Sequence, residues 1–420
     1  MGLFDKFKKP KEPQGPRRVK GAAMLFCPEP DPKKALDRIG ELFQIETVGD
    51  RNHITLCQDD MEIILLSASP DEEGENGQYA KEQLQGVAGY VYQNQTEQLE
   101  IKRNLFYHLR QCKSLIQIVY SFDSASPAET AEKEKQVKAP LFDITEQLQG
   151  VITFGDGMSL QNSRGQVILN KEGKSELDWY LPAERPVPED WAKDAPAESV
   201  KRRDKSMTLL REKRIYVTPW LPLLHERAEE PGRTVEEVCR RAAALLIVSL
   251  YSECRVGDHL SYEKAREFVD PIIESYGAEE SFFSPEEWAY LNDPNSDEKT
   301  QIQYAWQYEN LWVMEWALGL TDDLFWPTRI CDVPQSVRMM REYPSMAELA
   351  AAARPRPRKE LLDQADLIYR IHWACVDARV MNMPAPQELE EGVVMERHRA
   401  LFWLAGCDGM RGWDDVDLST

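Results

Sequence analysis

Asp363-Gln-Ala-Asp-Leu-Ile-Tyr-Arg-Ile-His-Trp-Ala-Cys-Val-Asp-Ala-Arg379 carries apolar residues around nearly the whole circumference of a helix. A helix with no wet side is buried, and its polar residues need partners. Asp366, Arg370, Trp373 and Asp377 recur at i, i+4, i+7 and i+11, so they share one face, with His372 and Arg379 on the adjacent one. Two other segments read the same way. Gln303-Tyr-Ala-Trp-Gln-Tyr-Glu-Asn-Leu-Trp-Val-Met-Glu-Trp-Ala-Leu318 sets Glu309 and Glu315 among Trp306, Trp312 and Trp316. Glu391-Gly-Val-Val-Met-Glu-Arg-His-Arg-Ala-Leu-Phe-Trp-Leu404 carries Glu396, Arg397 and His398. Such segments predict a dense helical domain with charges inside it. Breaking one partner out of a buried ion pair costs about 3–5 kcal/mol, so Glu315, Asp366, Arg370, Asp377 and Arg397 are expected to form an internal ion-pair network across three helices. The candidate polar cluster is Glu315, Asp366, Arg370, His372, Asp377, Arg379, Glu396, Arg397 and His398. Were it open to solvent, His372 or His398 would be its acid/base, oriented by a carboxylate. Neither His-x-x-x-His nor Glu-x-x-His occurs within one of these helices, so no metal is expected there.

Working outward, helical signals begin at about Ser199 and continue to the end. Thr234-Val-Glu-Glu237 and Ser345-Met-Ala-Glu348 read as capping boxes, and Ser284-Pro285-Glu286-Glu287 as an N-cap with proline at the first helical position. Nine of the eleven tryptophans lie between Trp220 and Trp413, as in a packed core, and no fixed-period repeat indicates a solenoid. The tail Gly412-Trp-Asp-Asp-Val-Asp417 is read as anchored by Trp413, with its acids in water.

The first half mixes periods. Strands are predicted at 22–27, 53–57, 61–66, 115–120, 151–154 and 167–169, with Asp59-Asp60 as a hairpin turn. Helices are predicted from about Asp31 (Ala35, Leu36, Ile39, Leu42 and Phe43 on one face), around 79–92 and 99–112, and over 141–148. A charged loop is expected after Tyr120. The fold class is thus an α+β N-terminal domain, with a mixed or antiparallel sheet and helices, followed by an all-α C-terminal domain. The expected divisions are a basic disordered leader at 1–20, the α+β domain at 21–170, a proline-rich linker at 171–198 and the Trp-rich helical domain at 199–420.

The chain has 420 residues, 42% hydrophobic and 29% charged, with a formal net charge of -21. That balance opposes nucleic-acid binding, which needs clustered lysine and arginine. The leader alone is basic, at about +5, and Leu3, Phe4 and Phe7 beside its lysines are a candidate contact with an anionic membrane or a partner. No apolar run is long enough to span a membrane and no secretory signal is present, so a cytoplasmic protein without stable membrane insertion is expected. The eight scattered cysteines form no Cys-x-x-Cys pair and read as reduced, buried thiols. Phosphate-binding glycine loops, nucleophile elbows and kinase signatures are all missing, so no cofactor is expected.

Five segments in order, Leu311-Trp-Val-Met-Glu-Trp-Ala-Leu-Gly319, Ile330-Cys-Asp-Val-Pro334, Ala365 to Arg379, Glu391 to His398 and Trp413-Asp-Asp-Val416, resemble a bacterial family catalogued as domain of unknown function 4272. The resemblance runs from about Ser199 to the end. The stretch before it, including Asn170-Lys-Glu-Gly-Lys-Ser175, resembles the region that often precedes that domain. Ile371 stands where the family usually has Tyr. The resemblance implies a bacterial protein of this two-part layout and no reaction, cofactor or substrate. The leading expectation is a non-catalytic protein-binding or regulatory module, in one version an acidic antagonist of a basic partner. The alternative is a hydrolase-like enzyme using the cluster. A third reading makes the N-terminal sheet a ligand sensor.

Overall fold

The stretch Ala22 to Cys27, apolar throughout, becomes the second half of a long central strand. In the computed structural model, which describes residues 17–29, 53–58, 60–155, 157–183 and 192–420, the chain forms two units, 1–184 and 185–420. The first holds strands β1 (Arg17–Cys27), β2 (His53–Gln58), β3 (Met61–Ala68), β4 (Ser114–Ser124), β5 (Val151–Phe154), β6 (Leu160–Gln161) and β7 (Val167–Leu169). They make one sheet in the order β2-β3-β4-β1-β5-β6-β7, every pair antiparallel. Side chains alternate between its faces. Leu25, Ile118 and Phe122 pack on one face with Val137, Leu141 and Ile144 of a helix, while Phe26, Leu115 and Val151 pack on the other with Leu84, Leu105 and Leu109. The covering helices are α1 (Glu75–Gln93), α2 (Leu99–Gln111) and α3 (Pro127–Gln147).

Four expectations change. Strand β1 begins at Arg17, inside the expected leader, because β4 runs on to Ser124 and offers ladder partners that far, while Arg18 reaches Glu62 and Asp123, each at 3.5 Å. The charged stretch after β4 is helix, not loop. Ser126 caps it by accepting from the Glu129 N–H, Pro127 occupies its first turn, and Val137 joins the Leu141 and Ile144 stripe. Residues 171–180 belong to the first unit rather than to a linker: Gly173 sits at φ +71, its carbonyl accepting from the Thr96 hydroxyl, where a Cβ would lie 2.0 Å from the Gln95 carbonyl oxygen. Strand β6, two residues long, carries no legible alternation. The expected helix at 31–43 and the leader's Leu3, Phe4 and Phe7 lie outside the described residues.

The second unit is helical: α4 (Ala197–Glu212), α5 (Val235–Ser252), α6 (Tyr262–Tyr276), α7 (Pro285–Leu291), α8 (Glu298–Ala305), α9 (Gln307–Ala317), α10 (Val333–Glu342), α11 (Met346–Ala352), α12 (Arg358–Val380), α13 (Glu391–Ala405) and α14 (Cys407–Met410). A π-helical turn at Glu253–Gly257 extends α5. The boxes at Thr234 and Ser284 are complete, whereas the Ser345 hydroxyl accepts from the Glu348 N–H and donates to its carboxylate at 3.1 Å instead of freeing it to reach back to the backbone. All residues of α9 are buried, and it packs against α5 and α13, while α12 packs against α13 and α4. Seven of the cysteines are free and buried. No helix among the described residues is long and apolar enough to cross a membrane.

Candidate functional site

The three segments with all-round apolar surface become the end of α8 with α9, α12 and α13, and their polar residues resolve into small, separately bonded groups. On α12 the one-turn spacing brings Asp366 under Arg370. The guanidinium donates from Nε to Oδ2 at 2.9 Å and from Nη2 to Oδ1 at 2.8 Å, and both residues are wholly buried. This fork takes both carboxylate oxygens. Arg397 on α13 finds a different acid: its Nε and Nη2 donate to Glu309 Oε2 at 3.2 Å each, and Nη1 donates to the Phe325 carbonyl at 2.6 Å. The other Glu309 oxygen accepts from the Cys331 N–H. The expected network across three helices is therefore corrected to one pair within α12 and another between α9 and α13. Local geometry wins, since an i, i+4 carboxylate meets Arg370 without any helix having to be positioned.

Glu315 is also buried. Its Oε2 accepts from the Ser336 hydroxyl at 2.8 Å, and loss of water pushes its carboxyl up to about 8. It is thus a neutral acid near pH 7. Glu396 accepts from the Asn310 amide at 2.7 Å, with Arg399 at 3.8 Å, and burial raises its carboxyl. His372 and His398 face each other across α12 and α13, Nδ1 to Nδ1 at 2.7 Å. One ring must donate and the other accept, so the two hold opposite tautomers. Burial, then the charge of Arg379, lowers His372 to about 4; burial, then the neighbouring His372, holds His398 well below its ordinary value. Phe402 closes over His398 edge-on, ring centres 4.0 Å apart. Asp377 is half-buried, and Arg379 is exposed, pairing with Glu391 at 3.7 Å.

The structure therefore gathers Asp366, Arg370, His372, Glu315, Glu396, Arg397 and His398 into the interior and leaves Arg379 outside. Both members of the Arg397–Glu309 pair border a cavity. Arg397 lines one of about 180 Å³ with Phe325 and Leu401, and Glu309 lies at a groove of about 270 Å³. No group of three or more His, Cys, Asp or Glu able to hold a metal occurs among the described residues. Sequence reasoning missed Asn310 and Ser336 as partners, and it missed a further buried pair, Arg241–Glu287, at 2.6 Å. The signal for Arg241 was present: a cation inside the run Val238 to Leu250, whose neighbours are buried. Arg241 also lies 4.6 Å from the Trp413 ring centre, and that ring is buried, so the tail is held by its tryptophan.

The first unit holds one group that was overlooked. Arg103 on α2 is 2% exposed, and none of its three guanidinium nitrogens has a hydrogen-bond partner among the described residues. An unpaired buried charge destabilises the fold. Arg103→Met is expected to stabilise the first unit by about 1–4 kcal/mol, read as a higher denaturation midpoint; a lower midpoint would show that an anion pairs with Arg103 in solution.

Residues 202–416 match the model of a family described as a domain of unknown function, DUF4272. No curated protein and no solved structure matches the chain.

Proposed function

The chain belongs to the DUF4272 family, and from that starting point we propose that it is a non-catalytic protein-binding module of the bacterial cytoplasm, engaging a basic partner through an apolar groove on its helical unit. The reading is carried by a contrast between a closed polar cluster and an open apolar groove. A catalytic histidine needs access to substrate and an orienting acid. Here the two histidines are buried, neutral and bonded to each other, and the nearby acids are spent on Arg370, Arg397, Ser336 and Asn310.

The groove near Glu309 is open. Ile302 and Ile330, 44% and 58% exposed, stand at it with Trp306 and Val333. Trp306 is fixed from behind, because α13 approaches it through Gly392, where a Cβ would lie 2.9 Å from the indole ring. Exposed acids adjoin the groove: Glu253, which accepts from the Tyr308 hydroxyl at 2.6 Å, and Asp332, next to Val333. With a net charge of -21, this surface suits a protein segment that presents an apolar anchor side chain flanked by lysine or arginine. The same charge argues against nucleic acid as the partner.

The test is affinity capture from native cells with wild type and Ile330→Glu, followed by titration of the purified partner. The expected result is a stoichiometric basic partner whose affinity falls at least tenfold on substitution and falls with added salt. Equal capture by both proteins rules out the groove. A turnover lost in His372→Ala would replace the binding reading with the enzymatic one.

A further inference from the structure

The sheet of the first unit carries a cleft that the groove reading does not use. Register places Gln117 of β4, Met24 of β1 and Thr153 of β5 directly side by side. Strands lie about 4.8 Å apart, so a carboxamide and a hydroxyl flank one thioether on the same face, roughly 10 Å from each other. Helix α1 borders this row with Gly86, Val87 and Tyr90, and the Tyr90 hydroxyl donates to the Met158 carbonyl at 2.9 Å. The space enclosed is about 480 Å³, within the size range of small-molecule sites.

Thr153 lines this cleft and is only 4% exposed, yet its hydroxyl has no hydrogen-bond partner among the described residues. Burying a hydroxyl unpaired costs about 1–3 kcal/mol, and such a group calls for a partner from outside the chain. Among the described residues Glu82 is the one charged residue lining the cleft, and none of them would neutralise an anion. The walls are methionine, valine and the Tyr90 ring, and thioethers pack well on aromatic faces. Gly86 leaves the helix side open, since a Cβ there meets nothing within 4 Å.

We propose that this cleft binds an uncharged, hydrogen-bonding heterocycle of nucleobase to nucleoside size, lying over Met24 with one polar edge on Thr153 Oγ1 and the other on Gln117. The test uses the full chain and calorimetric titration with adenosine, uridine and nicotinamide, with nicotinate as the anionic counterpart of nicotinamide. At least one neutral compound is expected to bind and nicotinate to fail. Thr153→Val should weaken binding about tenfold, the loss of one hydrogen bond, while raising the melting temperature of the unliganded protein. Gly86→Leu, which adds bulk in open space and improves helix propensity, should abolish binding with the fold intact. The proposal is overturned if no neutral compound binds, if binding survives both substitutions, or if Thr153→Val lowers the melting temperature and leaves affinity unchanged.

Discussion

Asp366→Ala is expected to destabilise the helical unit by about 3–5 kcal/mol, measured by denaturant unfolding followed through tryptophan fluorescence. Nine of the eleven tryptophans lie between Trp220 and Trp413, inside that unit. The substitution removes both hydrogen bonds that hold the Arg370 guanidinium, and Arg370 has no exposed surface through which water could replace them. The loss comes mainly from the stranded cation rather than from the attraction itself. Replacing both partners, as Asp366→Leu with Arg370→Met, should therefore recover most of the stability. If the double variant is as unstable as the single one, the pair contributes attraction beyond its desolvation cost. If Asp366→Ala is neutral, Arg370 is not buried in solution and the closed cluster is wrong.

The second large effect is on pH dependence. Burial raises Glu315 from 4.5 to about 8. Between those values the folded protein keeps a proton that the unfolded chain releases. Its contribution is thus full below pH 4.5 and declines as pH rises through 8, by about 1.4 kcal/mol per unit and about 4–5 kcal/mol in all. Glu396, also raised, acts in the same direction. The histidine pair works the other way. His372 and His398 stay neutral in the fold while the unfolded chain takes up protons below 6.5, so stability falls as pH drops from there through about 4. Glu315→Gln keeps an acceptor for Ser336 and removes one titration. It should match wild type near pH 4.5 and exceed it by several kcal/mol at pH 9. Unfolding curves over that range decide the matter; a variant no more stable than wild type at pH 9 means that Glu315 is ionised in the folded protein.

Much of the fold was legible because burial leaves a periodic trace. The buried helical segments at 363–379 and 391–404 announced themselves through apolar residues on every side, as did 303–318, which the structure divides at Trp306 between α8 and α9, and the hairpin at 53–66 did so through alternation broken by Asp59-Asp60. What failed did so for identifiable reasons. The stretch between Ser126 and Leu141 looks like loop because it is rich in charge and its buried face shows only Val137 before Leu141. Pro140 lies inside the helix, which runs through it. Seven of the nine members of the polar cluster were legible as buried, since a charge amid apolar neighbours has nowhere else to be, whereas Asp377 and Arg379 near the end of α12 are not. Their pairing was not. Sequence spacing fixes which residues share a helix face, but Arg397 meets Glu309 rather than Glu315 because of how α9 and α13 are rotated against each other, and no single helix encodes that rotation. The Thr153 cleft was invisible for a similar reason: its row is assembled across three strands from distant parts of the chain.

The bond between Glu309 and Arg397 joins residues 88 positions apart, and α9, which carries Glu309, has no exposed residue. During synthesis the ribosome delivers α9 well before α13. A nascent chain therefore passes through a stage in which its most hydrophobic helix and an unneutralised carboxylate both await a segment still unmade. Chains generally complete such units only when the last element emerges, and the unburied surface is meanwhile open to aggregation. For this protein, maturation of the helical unit waits on the emergence of α13, which gives chaperones a defined interval in which to act.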